Sequence, residues 1–239
     1  AFFVSAAGAL LSTGIAWRCM PHSPRERARR RGNARSVWNI AEVLRNRRAM
    51  GYVLAYAGVI WATSGVRHWL VVFLQQHSTA SAAAERVDII LFTAATASLL
   101  GVPAGLIGNE LSIRYGLRRT AIALFLLGAM MSFFYGFVIG LSFGLAIVLT
   151  LFYSFIIQGN VSNLTTGTID AATEDNMGLT MSVHSCIGFC GGIFGPLIFG
   201  WMLDSSPTGG GWALAFSTTA AACLFGAVSL FALATQRRG

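Results

Sequence analysis

The sequence predicts an all-α transmembrane fold: a six-helix bundle preceded by one lone helix and a cytoplasmic linker. Of the 239 residues, 55% are hydrophobic and only 11% are charged, with a mean hydropathy of +0.64. A soluble domain carries about 25% charged residues, so this chain could not cover a water-exposed surface. The charges are also unevenly placed, since residues 18–49 contain ten Arg and two Glu. These observations exclude a cytosolic enzyme, a DNA-binding domain and a disordered tail, and they indicate a polytopic membrane protein.

Seven apolar segments are candidates to cross the hydrocarbon core as helices. They are residues 1–17, 50–74, 88–108, 120–140, 142–165, 178–203 and 212–235. The first segment is predicted to be truncated, because the chain begins with Ala1 inside an apolar run. We therefore expect the chain to be a fragment of a longer protein.

The apolar segments and the charged region divide the chain into four parts. Residues 1–17 are the predicted last helix of an N-terminal bundle, and residues 18–49 are an Arg-rich cytoplasmic linker. Residues 50–235 form the predicted C-terminal six-helix bundle, and residues 236–239 form a cytoplasmic tail. This order favours the second half of a transporter built from two bundles.

The linker ends in a segment with apolar side chains at helical spacing, residues 36–49. This pattern predicts a short amphipathic helix at the inner membrane surface. Its apolar positions are Val37, Ile40, Ala41 and Leu44, and its polar end carries Arg45, Arg47 and Arg48.

The arginines predict the orientation. All 17 basic residues are Arg: fifteen lie on the side of residues 18–49, Arg86 lies on the opposite side, and Arg67 lies within a span. Positively charged loops remain in the cytoplasm, so residues 18–49 and the C-terminus are predicted to be cytoplasmic. The Ala-rich composition, with Arg as the basic residue throughout, is typical of a GC-rich bacterium and predicts a location in the inner membrane. Basic clusters beside apolar spans contact anionic lipid, so the lipid bilayer is the expected partner and nucleic acid is not.

Neither a metal nor a cofactor is expected. The four cysteines lie within or beside apolar runs, which favours a packing role over a disulfide or a zinc site. The chain has no Lys, so it cannot form the Schiff base that a retinal protein needs.

A charged loop is predicted after the third apolar segment, at residues 105–120. Glu110 ends the third span, Gly116 permits a tight turn, and Arg118 and Arg119 begin the fourth span. Together with Arg114, these residues could form a cytoplasmic clasp that opens and closes. The alternative is an ordinary loop that is basic because it lies inside the cell.

This loop resembles a motif of the major facilitator superfamily, G-x-L-x-D-R-x-G-R-[KR]. The matching residues are Leu111, Arg114, Gly116 and Arg118, and the departures are Asn109, Ile113 and Leu117. Ile113 replaces the Asp of the motif, and Glu110 is the candidate substitute for its charge. Residues 56–74 and 184–204 also resemble bacterial members. The resemblance implies that the seven spans are the sixth to twelfth helices of a twelve-helix transporter.

The second span carries a polar face in an otherwise apolar helix, formed by Tyr56, Thr63 and Arg67. Arg67 lies five residues from the middle of the predicted span, which is about 7.5 Å along the axis. A charge at that depth is costly unless it faces water, a partner or a ligand. The functional interpretation is contact with an anion, and the alternative is that Arg67 extends to the outer headgroups beside His68 and Trp69.

The fifth span carries a tyrosine and several amides, Tyr153, Gln158, Asn160 and Asn163. Amides within hydrocarbon mark helix contacts or a water-filled path. In the superfamily, the helices that match the second and fifth spans line the central cavity. The resemblance thus implies solute contact for Arg67, Tyr56, Gln158 and Asn160, and we add Thr63 and Tyr153 as candidates.

No Asp or Glu lies in the interior of a predicted span, so a carboxylate proton relay is not expected in this part of the protein. If transport is coupled to protons, the candidate carriers here are His68 and His184. The alternative for His184 is a hydrogen-bonded residue between helices. It shares a stripe with Gly188 and Gly191, and such small residues allow close helix packing.

The leading functional hypothesis is a secondary transporter that moves a small solute by alternating access, with Arg67 suggesting an anion. Its expected partners are the solute, the bilayer and an N-terminal bundle. One alternative is a seven-helix receptor or sensor. Another is an intramembrane enzyme that uses Ser64 and His68, but the G-x-S-x-G motif that would support it is missing.

Overall fold

The structure is a computed structural model that describes residues 2–19, 40–77, 86–137, 142–206 and 210–234. Helices make up almost all of these residues, and no strand occurs among them. We number the α-helices in chain order: α1 Phe2–Cys19, α2 Ile40–Arg45, α3 Arg47–His77, α4 Val87–Leu99, α5 Gly101–Tyr115, α6 Leu117–Tyr135, α7 Phe143–Ala171, α8 Met177–Asp204 and α9 Gly211–Leu233.

Six helical segments are long and apolar enough to cross a membrane, which confirms the predicted all-α membrane class. They are Arg47–Gln76, Val87–Tyr115, Leu117–Tyr135, Phe143–Ala171, Glu174–Asp204 and Gly211–Leu233. The second of these segments consists of α4 and α5 together. The chain thus has the architecture of a multi-pass membrane protein.

The chain divides into two compact units, Ala1–Trp38 and Asn39–Gly239. The first unit contains α1, and the second contains the six apolar segments. The role of α1 as the last helix of another bundle stays a prediction. Residues 20–39 of the linker, including Val37, and the predicted tail lie outside the described residues.

The predicted loop at residues 105–120 is wrong in extent. The third span does not end near residue 108, because α5 continues to Tyr115 and only Gly116 separates it from α6. No helix breaker occurs between Asn109 and Tyr115, and an ion pair between Glu110 and Arg114 supports the last turn of α5. Gly116 has φ +91°, a conformation that residues with a side chain rarely adopt, so the turn falls there.

The fifth span also extends beyond its predicted end at residue 165. Helix α7 continues to Ala171, and Ala172 then adopts an extended conformation with ψ 146°. In this last part of α7, the Thr168 hydroxyl donates to the carbonyl of Leu164 at 2.9 Å and lies 3.0 Å from Nδ1 of His184. The polar run after the span is therefore partly helix rather than turn.

The predicted amphipathic helix at residues 36–49 is shorter than expected, because Arg47 and Arg48 belong to α3 and not to its polar end. Asn46 lies between the short helix α2 and the start of α3. Its Oδ1 accepts a hydrogen bond from the N–H of Ala49 at 3.1 Å, which caps α3. Its Nδ2 donates to the carbonyl of Ala171 at 2.8 Å, which ties the start of α3 to the end of α7.

Helix α3 is central to the bundle and packs against α7, α8 and α9. The contact with α8 is very close because glycines of α8 lie against the α3 backbone. A Cβ at Gly195 would lie 2.6 Å from the carbonyl oxygen of Trp61, and Gly191 lies similarly against Ala57. The predicted role in close helix packing is thus confirmed at Gly191, and Gly195 makes a second contact of the same kind.

Leu100 separates α4 from α5 within the second apolar segment, and it keeps a helical conformation with φ −59° and ψ −16°. Pro103 lies in the first turn of α5, where its missing N–H is tolerated but where it cannot continue the α4 hydrogen-bond pattern. Ala97 and Gly101 both lie against Gln158, near the middle of α7.

Candidate solute-binding site

Arg67 of α3, which is exposed, forms a hydrogen bond with Gln158 of α7, which is buried. Nη2 of Arg67 donates a hydrogen bond to Oε1 of Gln158 at 3.2 Å. No carboxylate lies within ion-pair distance of Arg67 in the part of the chain that the structure describes. The guanidinium therefore has a neutral partner and several N–H donors to spare, since it carries five.

Gln158 is held in place by two backbone carbonyls. Its Nε2 donates to the carbonyl of Ala97 at 2.8 Å and to that of Ser154 at 3.1 Å. Gly101 leaves the space that the amide needs, because a Cβ there would lie 2.6 Å from Oε1 of Gln158. These contacts fix the amide so that its oxygen faces Arg67.

A small cavity surrounds this pair, with a volume of about 20 Å³. Four predicted site residues line it: Thr63, Arg67, Tyr153 and Gln158. The hydroxyl oxygen of Thr63 is buried and has no hydrogen-bond partner. The volume is enough for about one water molecule, and Arg67 in the cavity wall is exposed.

Tyr153 contributes its ring to the cavity wall, while its hydroxyl lies in a separate polar cluster in the core. The hydroxyl is 2.5 Å from Ser132 Oγ and 3.3 Å from Thr219 Oγ1. The ring stacks on Tyr135 with centroids 5.3 Å apart. These contacts favour a packing role, and they leave the hydroxyl little freedom to bind a solute.

Tyr56 and Asn160 lie outside the Arg67 cavity. Tyr56 stacks on His184 with ring centroids 3.9 Å apart. Asn160 is buried and donates from Nδ2 to the carbonyl of Ala121 in α6 at 3.0 Å, while its Oδ1 has no partner. The structure thus brings together four of the six predicted solute contacts.

The two candidate proton carriers have different surroundings. His184 is 2% exposed, and its Nδ1 lies 3.0 Å from the hydroxyl of Thr168, while its Nε2 is buried without a partner. His68 is exposed, and its Nδ1 lies 2.8 Å from the backbone carbonyl of Ser64. The His68 ring is therefore directed at the carbonyl rather than the hydroxyl of Ser64, which does not favour the Ser/His enzyme alternative.

The predicted clasp residues pair differently from the expectation. Glu110 forms its ion pair with Arg114 in the same helix, at 2.7 Å. Arg118 instead binds the last turn of α9, with Nε 3.1 Å from the carbonyl of Leu230 and Nη2 3.0 Å from that of Phe231. A clasp between Glu110 and Arg118 is not formed in this structure, because the C-terminal carbonyls of α9 attract the guanidinium.

Sequence reasoning missed two contributors to the site. One is the carbonyl of Ala97, which no side-chain pattern could indicate. The other is Ser98, which lines the Arg67 cavity and was overlooked as a small residue in an apolar span. Ser98 lies three residues before Gly101 and five before Pro103. Glycine and proline can interrupt a membrane helix, and such interruptions often accompany binding sites, so this position could have indicated Ser98 as a site residue.

Comparisons with protein-family models, with curated proteins and with solved structures find no match for this chain. In the described ranges, no group of three or more His, Cys, Asp and Glu side chains is placed to hold a metal ion.

Proposed function

We propose that the protein is part of a secondary transporter of the major facilitator type, which moves a small anionic solute across the membrane by alternating access. The observation that carries the proposal is the Arg67–Gln158 pair. A guanidinium within an apolar helix, bound to a neutral amide at 3.2 Å and to no carboxylate of the described chain, lacks a counter-charge. A solute carboxylate or phosphate could supply it through two parallel hydrogen bonds.

The neighbours of Arg67 support the solute over the headgroup alternative. Trp69 would assist an arginine that reaches the outer interface, but its Nε1 donates to the carbonyl of Pro196 in α8 at 3.0 Å. Its N–H is therefore directed into the bundle rather than at the membrane surface. The unpartnered hydroxyl of Thr63 offers an anion a further donor in the same cavity.

The small cavity suggests how transport would proceed. The cavity has a volume of about 20 Å³, and Arg67 in its wall is exposed. An entering anion would displace Oε1 of Gln158 from Arg67 while α7 moves away from α3. Rocking of this bundle against an N-terminal bundle would then expose the site to each side in turn.

Solute binding is tested on the purified chain in detergent by thermal unfolding. Sodium acetate, lactate, succinate and phosphate are compared with sodium chloride at equal ionic strength. We expect at least one of the four anions to raise the midpoint, Arg67→Gln to abolish the increase, and Arg67→Lys to reduce it because Lys cannot bind bidentately. Arg114→Gln is the matched control, since Arg114 is exposed and does not line the cavity.

Transport is tested by uptake of the binding anion in cells that express the complete reading frame. Unchanged uptake in both Arg67→Gln and Arg67→Lys would refute the role of Arg67. Binding that depends on Arg67 without any flux would favour the receptor alternative.

A further inference from the structure

A second polar cavity lies at the end of the bundle where α3 begins, far along the chain from Arg67. Its volume is about 510 Å³. Its walls include Arg48 and Tyr52 of α3, Arg118 and Arg119 of α6, and Asp170 of α7. The transport proposal assigns no ligand to this cavity.

The cavity has an excess of positive charge. Three guanidinium groups face one carboxylate, and Asp170 forms no ion pair with any of them within the described residues. Nε of Arg48 is buried and has no hydrogen-bond partner. Arg118 uses two of its donors on the end of α9, which leaves three of its five N–H groups.

The backbone explains why these charges converge. Asn46 joins the start of α3 to the last residue of α7, which places Arg48 near Asp170. Gly116 ends α5 and begins α6 in a single residue, so Arg118 and Arg119 enter the cavity from the first turn of α6. The N–H groups of that turn add to the positive potential.

We propose that this cavity binds a phosphate group. A phosphate offers several oxygens to several guanidinium donors, and its charge of one to two negative units matches the excess of the cavity. The group could belong to an anionic lipid headgroup or to a soluble phosphate compound, and both present the same chemistry. The site is independent of Arg67, so it can exist whether or not Arg67 binds a solute.

The experiment measures binding to the purified chain by native mass spectrometry and by thermal unfolding. The probes are the anionic lipid phosphatidylglycerol and inorganic phosphate. Phosphatidylcholine, which has no net charge, is the control lipid, and a chloride buffer without sulfate is the blank. We expect Arg48→Gln and Arg119→Gln each to weaken phosphatidylglycerol or phosphate binding about fivefold, and the double variant about 25-fold. Arg47→Gln is the matched control, because Arg47 is the exposed neighbour of Arg48 and does not line the cavity.

A variant that gains affinity guards against effects of misfolding. Asp170→Asn removes the carboxylate, so we expect binding to strengthen about fivefold. Arg118 is left unchanged because it also holds the end of α9.

The outcomes separate the two sources and can overturn the proposal. Binding of phosphatidylglycerol without inorganic phosphate supports a lipid headgroup, and the reverse supports a soluble phosphate compound. The proposal fails if neither binds, if Arg47→Gln weakens binding as much as Arg48→Gln, or if Asp170→Asn has no effect. Arg67→Gln tests the proposed function at a different site. If that variant loses the effect of the solute anion, we still expect the phosphate-binding results at this cavity to be unchanged.

Discussion

Arg67 and Arg118 are the same residue type in one bundle, yet their donors are used differently. Arg118 binds two backbone carbonyls at the end of α9, at 3.1 and 3.0 Å. Arg67 binds one side-chain amide of α7, at 3.2 Å. The Arg118 acceptors are backbone groups of a helix end, whereas the Arg67 acceptor is the oxygen of a side-chain amide whose nitrogen is held separately by two backbone carbonyls.

The difference indicates which arginine stabilises the fold and which can bind a ligand. Carbonyls at a helix C-terminus need a donor, so removing Arg118 leaves them without a partner. An amide oxygen in a side chain can exchange one donor for another at little cost. We therefore expect Arg118 to act on stability and Arg67 to act on binding.

The largest effect is expected for Arg118→Gln. Two charge-assisted hydrogen bonds and a favourable interaction with the α9 dipole are lost, which should lower the free energy of unfolding by about 1.5–3 kcal/mol. Denaturation of the purified chain in mixed micelles measures the loss. Arg119→Gln, one residue away and exposed, is the control and should change stability by less than about 0.5 kcal/mol. Equal losses of stability in Arg118→Gln and Arg119→Gln would contradict a specific role of Arg118 in stabilising the fold.

The second-largest effect on stability is expected at the contact between α8 and α3, the helix that carries Arg67. Gly195→Ala would place a methyl group against the carbonyl of Trp61, so we expect a loss of about 1–3 kcal/mol from overpacking. Gly178→Ala in the same helix meets no atom within 4 Å and should be neutral or slightly stabilising. The two variants are compared by thermal unfolding. A neutral Gly195→Ala would show that α3 and α8 can separate easily.

A smaller effect is expected for the Arg67–Gln158 bond itself. A double-mutant cycle of Arg67→Leu and Gln158→Leu should give a coupling energy of about 1 kcal/mol in the absence of ligand. The cycle is measured by denaturation, first in chloride and then with the anion that binds. The coupling should shrink when the anion is present, because Arg67 then has another partner. A coupling that the anion does not alter would argue against exchange of partners.

The smallest effect is expected for the exposed pair of α5. Glu110→Gln should cost only about 0.3–0.5 kcal/mol, since the pair is an exposed i,i+4 contact with 55% and 68% of its side chains accessible. Thermal unfolding at low and high salt checks this. A loss as large as that of Arg118→Gln would mean that Glu110 has a further role at the helix ends.

The sequence predicts the helices well and their ends less well. Apolar runs report which residues avoid water, so the six spans after residue 50 were found. The spans predicted to end at residues 108 and 165 continue as helix to Tyr115 and Ala171, because a helix can carry polar side chains beyond the apolar segment. The true end of α5 depends on Gly116, whose backbone conformation only the fold determines.

For the site, periodicity located Thr63 and Arg67 on one helix face and Gln158 on another. It could not show which residue of α7 meets Arg67. Positions 158 and 160 differ by about 200° around a helix, so they face different neighbours. Asn160 contacts α6 and Gln158 contacts α3 and α4. The relative rotation of α7 is set by tertiary packing and is not encoded in the spacing of its polar residues.

Gly116 joins a helix of 15 residues to one of 19 with no residue between them except itself. A change in the angle between α5 and α6 would therefore require a change almost entirely in the φ and ψ of Gly116. We therefore expect Gly116 to act as a hinge, and it also lines the cavity that contains Arg48. A molecule bound in that cavity would limit the change in the angle between α5 and α6.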